Sequence, residues 1–201
     1  MNKYLNLTLE NIDDEHICCA IGDKKHQVGV EKKKEWIKNK LKDGHVFRKL
    51  DDRGKIFIEY EPIETAWVPV SKKKKPFLGE KKFFEHYGFK VVDVISDYEL
   101  MALKFKDIEF PKFNEKARTM KIDDQDFTIY YSNECPYVEY EVKELSDYAQ
   151  KKNIKINFIK IDSLEKAKNV PCIFNNWANF YKGEFISNTI LNANAFEKLL
   201  K

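Results

Sequence analysis

Glycine is scarce in this 201-residue chain, and none of it is arranged to hold a phosphate. The seven glycines are Gly22, Gly29, Gly44, Gly54, Gly79, Gly88 and Gly183. No two are separated by a single residue, and none stands between a strand and a helix, where a phosphate-cradling loop needs it. Long apolar runs are missing too, which excludes a membrane-spanning helix. The opening MNKYLNLTLENIDDE is polar and acidic, unlike a secretory leader. Cysteine is limited to Cys18, Cys19, Cys135 and Cys172. That spacing is no disulfide framework, and reduced thiols fit a cytoplasmic protein. The net charge of +3 lacks the basic stripe of a nucleic-acid binder. Residues 126–201 carry ten lysines and ten acids, so the excess lies earlier. The runs Lys32–Lys34 and Lys72–Lys75 read as solvated faces.

Hydrophobic content of 43% is enough for a core, and 34% charge keeps the surface polar. The most informative stretch is FTIYYSNECPYVEYEVKELSDYAQK, residues 127–151. Phe127–Tyr131 is β-branched and aromatic, as a strand should be. Pro136 suits a first helical turn, where its missing N–H costs nothing. Val138, Val142, Leu145 and Ala149 then recur on one helical face. Cys135 therefore sits at a helix N-terminus, a place that favours a thiolate. The motif is Cys135-Pro136-Tyr137-Val138, so a second cysteine is missing and ordinary dithiol exchange is removed. Cys135 is a candidate monothiol nucleophile or redox group. The alternative is a packing residue.

Before this stretch the pattern predicts a helix over His16–Ile21 and a second over about Val30–Leu41. A hairpin of Val46–Leu50 with Lys55–Tyr60 follows, then a strand at Ala66–Val70. A helix at Glu80–Tyr87 is closed by Gly88. Strands at Phe89–Ile95 and Glu99–Phe105 come next. Lys106–Gln125 lacks periodicity and reads as a linker. After the 127–151 unit come a strand (Lys155–Ile161), a short helix (Ser163–Lys168) and strands at Cys172–Phe174 and Glu184–Ser187. A helix over Ala193–Leu200 closes the chain. Asn175–Asn179 reads as a polar loop. This order, with a parallel first crossover and a closing hairpin, is thioredoxin-like. His16, Cys18, Cys19 and His26 have the wrong spacing for a zinc knuckle, so no metal is expected. Trp36, Trp67 and Trp177 read as core aromatics, and Tyr98-Glu99 as an ordinary strand start.

The segments YYSNECPYVEYEV, VPCIF and FYKGEFISN resemble the YoaP-like module, a thioredoxin-type domain that follows an acetyltransferase domain. ENIDDEHICCAI, FRKLDDRGKIFIEYEP, AWVPV and KKFFEHYGFKVVD resemble parts of a GNAT-type N-acetyltransferase. The resemblance implies an α+β / α/β chain: a truncated GNAT-like domain (1–105), a linker (106–125) and a thioredoxin-like domain (126–201). It implies acetyl-CoA as cofactor and a small-molecule or peptide amine as acceptor, with neither nucleic acid nor membrane as partner. It places Pro171 as a substrate-facing cis-proline. Cys172 follows directly, as a candidate resolving thiol for Cys135 or as a small buried strand residue. The chain departs from the GNAT pattern between Val70 and Lys75, where a Q/R-x-x-G-x-G/A loop should open a helix and is absent. A directly paired Ala66–Val70 and Phe89–Ile95 is the expected repair. Phe84 stands where many such enzymes place a proton-donating tyrosine. Impaired acetyl transfer is therefore expected, with a non-catalytic or monothiol-redox binding module as the alternative.

Overall fold

A computed structural model describes residues 4–17, 22–50, 57–60, 65–71, 81–103 and 109–199. The amino-terminal part starts with a three-stranded antiparallel sheet. Its order is β1 (Tyr4–Asn6), β2 (Val46–Leu50), β3 (Phe57–Tyr60). Helix α1 (Gln27–Lys42) packs on it, and Leu7, Ile12, Ile17, Val30, Trp36, Ile37 and Phe47 close the core between them. Helix α1 begins about a turn before the position that apolar spacing predicts. Asp23 caps the short 3-10 turn ahead of it by accepting from the Lys25 N–H at 3.2 Å. His16 and Ile17 are not helical, and residues 18–21 lie outside the described residues.

Lysines of α1 do not all face water. Lys33 is buried, 3.4 Å from Glu59, and Lys40 is fully buried, donating to the Thr65 carbonyl at 2.7 Å. Their stems cover apolar surface while each head finds an oxygen. This corrects the reading of Lys32–Lys34 as a wholly solvated face.

Strand β4 is only Val70–Ser71, and it pairs with β7 (Lys112–Phe113), not with β5 (Lys90–Ile95). Strand β5 instead pairs with β6 (Tyr98–Ala102) as a tight hairpin. Helix α2 (Lys81–His86) precedes it, closed by Gly88 at φ 84°. The segment expected as a linker holds β7 and α3 (Glu115–Thr119). Its order comes from partners far away. Asn114 N–H donates to the Pro69 carbonyl at 2.9 Å, and its side chain donates to the Lys168 carbonyl at 2.8 Å.

The carboxy-terminal part is one mixed sheet. Strand β8 (Phe127–Tyr131) runs parallel to β9 (Ile156–Lys160) across helix α4 (Val138–Lys152). Helix α5 (Leu164–Lys168) follows, with Ser163 accepting from the Lys166 N–H at 3.2 Å as its N-cap. Strand β10 (Trp177–Tyr181) returns antiparallel to β8, and β11 (Glu184–Ser187) forms a hairpin with it. The sheet order is β11-β10-β8-β9, and α6 (Ala193–Leu199) closes the chain. Lys182 (φ 52°) and Gly183 (φ 80°) both take the left-handed conformation of a two-residue hairpin turn. The strand expected at Cys172–Phe174 is irregular. It begins at Trp177, inside what reads as a polar loop, because Trp177 and Asn179 share one buried face. Trp177 Nε1 donates to Asn179 Oδ1 at 2.8 Å there, so the asparagine is satisfied within the core.

Candidate functional site

Cys135 lies in the turn that leads from β8 into α4. The helix starts at Val138, three residues later, and the Val138 N–H bonds back to the Cys135 carbonyl at 3.3 Å. Pro136 and Tyr137 form the turn itself. The predicted apolar face of α4 is present: Val138, Leu145 and Ala149 are buried, and Val142 packs beside them. Cys135 is half-buried at the edge of this cluster.

Cys172 packs in a different cluster. Phe127, Ile129 and Trp177 point to the face covered by α4 and α6, where Cys135 packs. Ala178 and Phe180 point to the opposite face, where Cys172 is fully buried with Val170 and Ala167. The two thiols pack in different clusters, and neither is in a disulfide. The structure therefore does not bring Cys172 to Cys135 as a resolving partner. The Cys172 Sγ donates to the Phe174 carbonyl at 3.2 Å, and burial pushes its pKa up to about 12.

No cis peptide bond occurs among the described residues, so Val170–Pro171 is trans. The expectation of a cis-proline is corrected. Trans is the lower-energy form for any X–Pro bond unless the fold demands otherwise. Here the chain stays irregular for six residues before β10, and no strand edge forces the choice.

A cleft of ≈ 280 Å³ opens at the carboxyl ends of β8 and β9, against α1. Trp36, Trp67, Asn133, Lys160 and Asp162 are on its wall. Carboxyl ends of parallel strands are where open α/β sheets place ligands. The charged groups here are internally matched. Lys160 bonds Glu139 at 3.0 Å, Lys32 bonds Glu35 at 3.2 Å and Lys166 bonds Asp162 at 2.7 Å. Asn133, with its amide turned to suit its neighbours, donates to Glu139 at 2.7 Å and accepts from Lys160 at 3.1 Å. Burial first, then the nearby Glu139 and Asp162 carboxylates, raises the Tyr131 phenol above its ordinary range. The rings of Trp36 and Trp67 meet edge to face at 6.3 Å, with Lys40 Nζ 5.5 Å from the Trp67 ring.

Other singled-out residues fall elsewhere. His26 is buried edge-on against Tyr137 (4.6 Å) and Tyr140 (5.1 Å). Cys18 and Cys19 lie outside the described residues. Phe84 is buried against Phe89, and Tyr98 packs edge-on against Phe174 at 4.9 Å. The sequence reading missed Gly29 and Lys40, and took Trp36 and Trp67 as core aromatics without their pairing. Gly29 carried a signal: a glycine inside a helix needs a reason, and close approach is the usual one.

Comparison with known proteins adds the lineage. The chain is 31% identical over 245 aligned positions to the "Uncharacterized N-acetyltransferase YoaP" of Bacillus subtilis (strain 168), covering 98% of each chain. This chain belongs to the YoaP family. The YoaP-like family model matches residues 155–198, from β9 through α6. No solved structure matches it. The alignment of 245 positions exceeds the 201 residues present here, so more than forty aligned positions have no counterpart in this chain. Among the described residues no helix is long and apolar enough to cross a membrane.

Proposed function

We propose that this chain is a GNAT-type N-acetyltransferase by descent, with acetyl transfer impaired by loss of the cofactor loop. The family reaction moves an acetyl group from acetyl-CoA to an amine. The observation that carries the reading is the shortfall against the relative, more than forty aligned positions, taken with a sequence that has no glycine pair to cradle a phosphate. The reading places the shortfall at Val70–Lys75. It divides the chain into a truncated GNAT-like domain (1–105), a joining segment (106–125) and a thioredoxin-like domain (126–201).

The described residues do not fit the pyrophosphate of acetyl-CoA. Among the described residues the glycines with positive φ are Gly22, Gly44, Gly88 and Gly183. Gly44 and Gly88 follow helices, Gly22 precedes the 3-10 turn and Gly183 makes a hairpin. None opens a helix after a strand. Residues 72–80, where the family loop would start, lie outside the described residues. The test is turnover. Full-length protein is incubated with acetyl-CoA and a panel of small amines and peptides, and free thiol is followed. Thiol release at the protein-free rate is the expected result. Acetylated product above that rate contradicts impairment.

A second reading has its own support. The order β11-β10-β8-β9, with β8 and β9 parallel and Cys135-Pro136 leading into α4, supports reading this part as a thioredoxin-like module. With Val138 in place of a second cysteine, such a module works as a binding unit or through one thiol. Both readings suit a cytoplasmic setting, where thiols stay reduced.

A further inference from the structure

On the thioredoxin-like reading, the two surfaces that would make a substrate groove in the carboxy-terminal sheet are the Cys135–Pro136 turn and the loop from Val170 to Asn176. Both are covered by the amino-terminal part of the same chain. Gly29 of α1 sits on the turn. A Cβ at Gly29 would overlap the Pro136 carbonyl oxygen and stand 2.8 Å from its carbonyl carbon. Tyr137 reaches into the core of α1 and β2, and His26 and Lys25 lie over Tyr137 and Tyr140, with Lys25 Nζ 4.8 Å from the Tyr140 ring. On the loop, Asn175 donates to the Trp67 carbonyl, Phe174 meets Tyr98, and Ile173 packs with Ala66 and Ile95. Trp67 touches both the α1 core and the core around Cys172.

We infer that this face is an intramolecular docking site: its occupant is the amino-terminal part of this chain, and lifting α1 from Pro136 exposes the half-buried Cys135 further. The carboxy-terminal sheet then works in cis, as the partner on which the amino-terminal part folds. It does not present this face to a separate protein. The inference rests on contacts along the whole seam and is independent of the transferase reading.

The test turns on a sign. Gly29 is inside a regular helix, where alanine is favoured over glycine. If α1 stood free in solution, Gly29→Ala would raise the melting temperature. With α1 docked, the added methyl drives it off Pro136. The full chain carrying Gly29→Ala is melted beside wild type, and iodoacetamide labelling of each cysteine is followed by peptide mapping. The expected result is a melting temperature lower by ~3 °C or more, with Cys135 labelled several-fold faster than in wild type. A raised melting temperature overturns the inference, and so does an unchanged Cys135 rate. Failure here leaves the turnover and cofactor-binding results unaffected.

Discussion

Asp93 of β5 is held by Arg118 of α3, which donates to its carboxylate, and the same oxygen accepts the Phe113 N–H at 2.8 Å. The second oxygen accepts the Val94 N–H at 2.9 Å. Two of the three donors, Arg118 and Phe113, tie the β5–β6 hairpin to α3 and β7. The Arg118 guanidinium, more than the backbone donors, holds the Asp93 carboxyl well below its ordinary range. Asp93→Asn keeps the shape and removes the charge. It should lower stability by about 2 kcal/mol, read by urea denaturation at neutral pH.

The pH dependence of that pair has a fixed sign. A depressed carboxyl pKa contributes stability fully above the unfolded value of ~3.9, and this is lost as pH falls through the lower folded value. Below pH 4, wild type should lose stability faster than Asp93→Asn. Parallel acid limbs for the two proteins would show that the pair is not formed.

Cys172 should be silent in the native protein. Its thiol is fully buried and its pKa raised to about 12. Labelling at pH 8 should modify Cys172 only after unfolding, and mild oxidation should give no Cys135–Cys172 disulfide, since Cys172 is sealed in a separate cluster. The raised value also costs stability in alkali. An unfolded thiol ionises near ~8.5 while the folded one does not, so stability is intact below that pH and declines between there and about 12. Cys172→Ala should flatten that decline.

Lys40 offers a direct probe of the seam. Its ammonium donates to the Thr65 carbonyl at 2.7 Å and lies near the rings of both Trp67 and Trp36. Lys40→Ala removes that hydrogen bond, the cation and the buried stem together. The loss should be about 3 kcal/mol, accompanied by a shift in tryptophan emission. An unshifted spectrum with full stability would mean that the lysine head is in water.

How far these features were readable from sequence follows from where each gets its order. Helix α4 was legible because Val138, Val142, Leu145 and Ala149 repeat locally. Ser163 announced α5 by its place before the helix, and Glu184–Ser187 was bounded by Gly183. Residues 109–122 were not legible. Their ordering partners are Pro69, Asp93, Lys168, Gly183 and Phe185, none of them sequence neighbours. The buried Lys33 and Lys40 were hidden for a related reason: composition marks lysine as solvated, and only the fold supplies Glu59 and the Thr65 carbonyl. Cys135 was read at the helix N-terminus, and it stands in the turn three residues before α4. That its turn is covered by Gly29 could be seen only in three dimensions.

The central claim concerns the cofactor, so calorimetric titration of the full chain with acetyl-CoA, backed by a melt, tests it most directly. The account predicts no heat of binding and no melting shift at millimolar acetyl-CoA. Micromolar binding, with stabilisation of about 2.7 kcal/mol at a hundredfold excess over the dissociation constant, would contradict it and show that the cofactor cleft has been rebuilt from other residues.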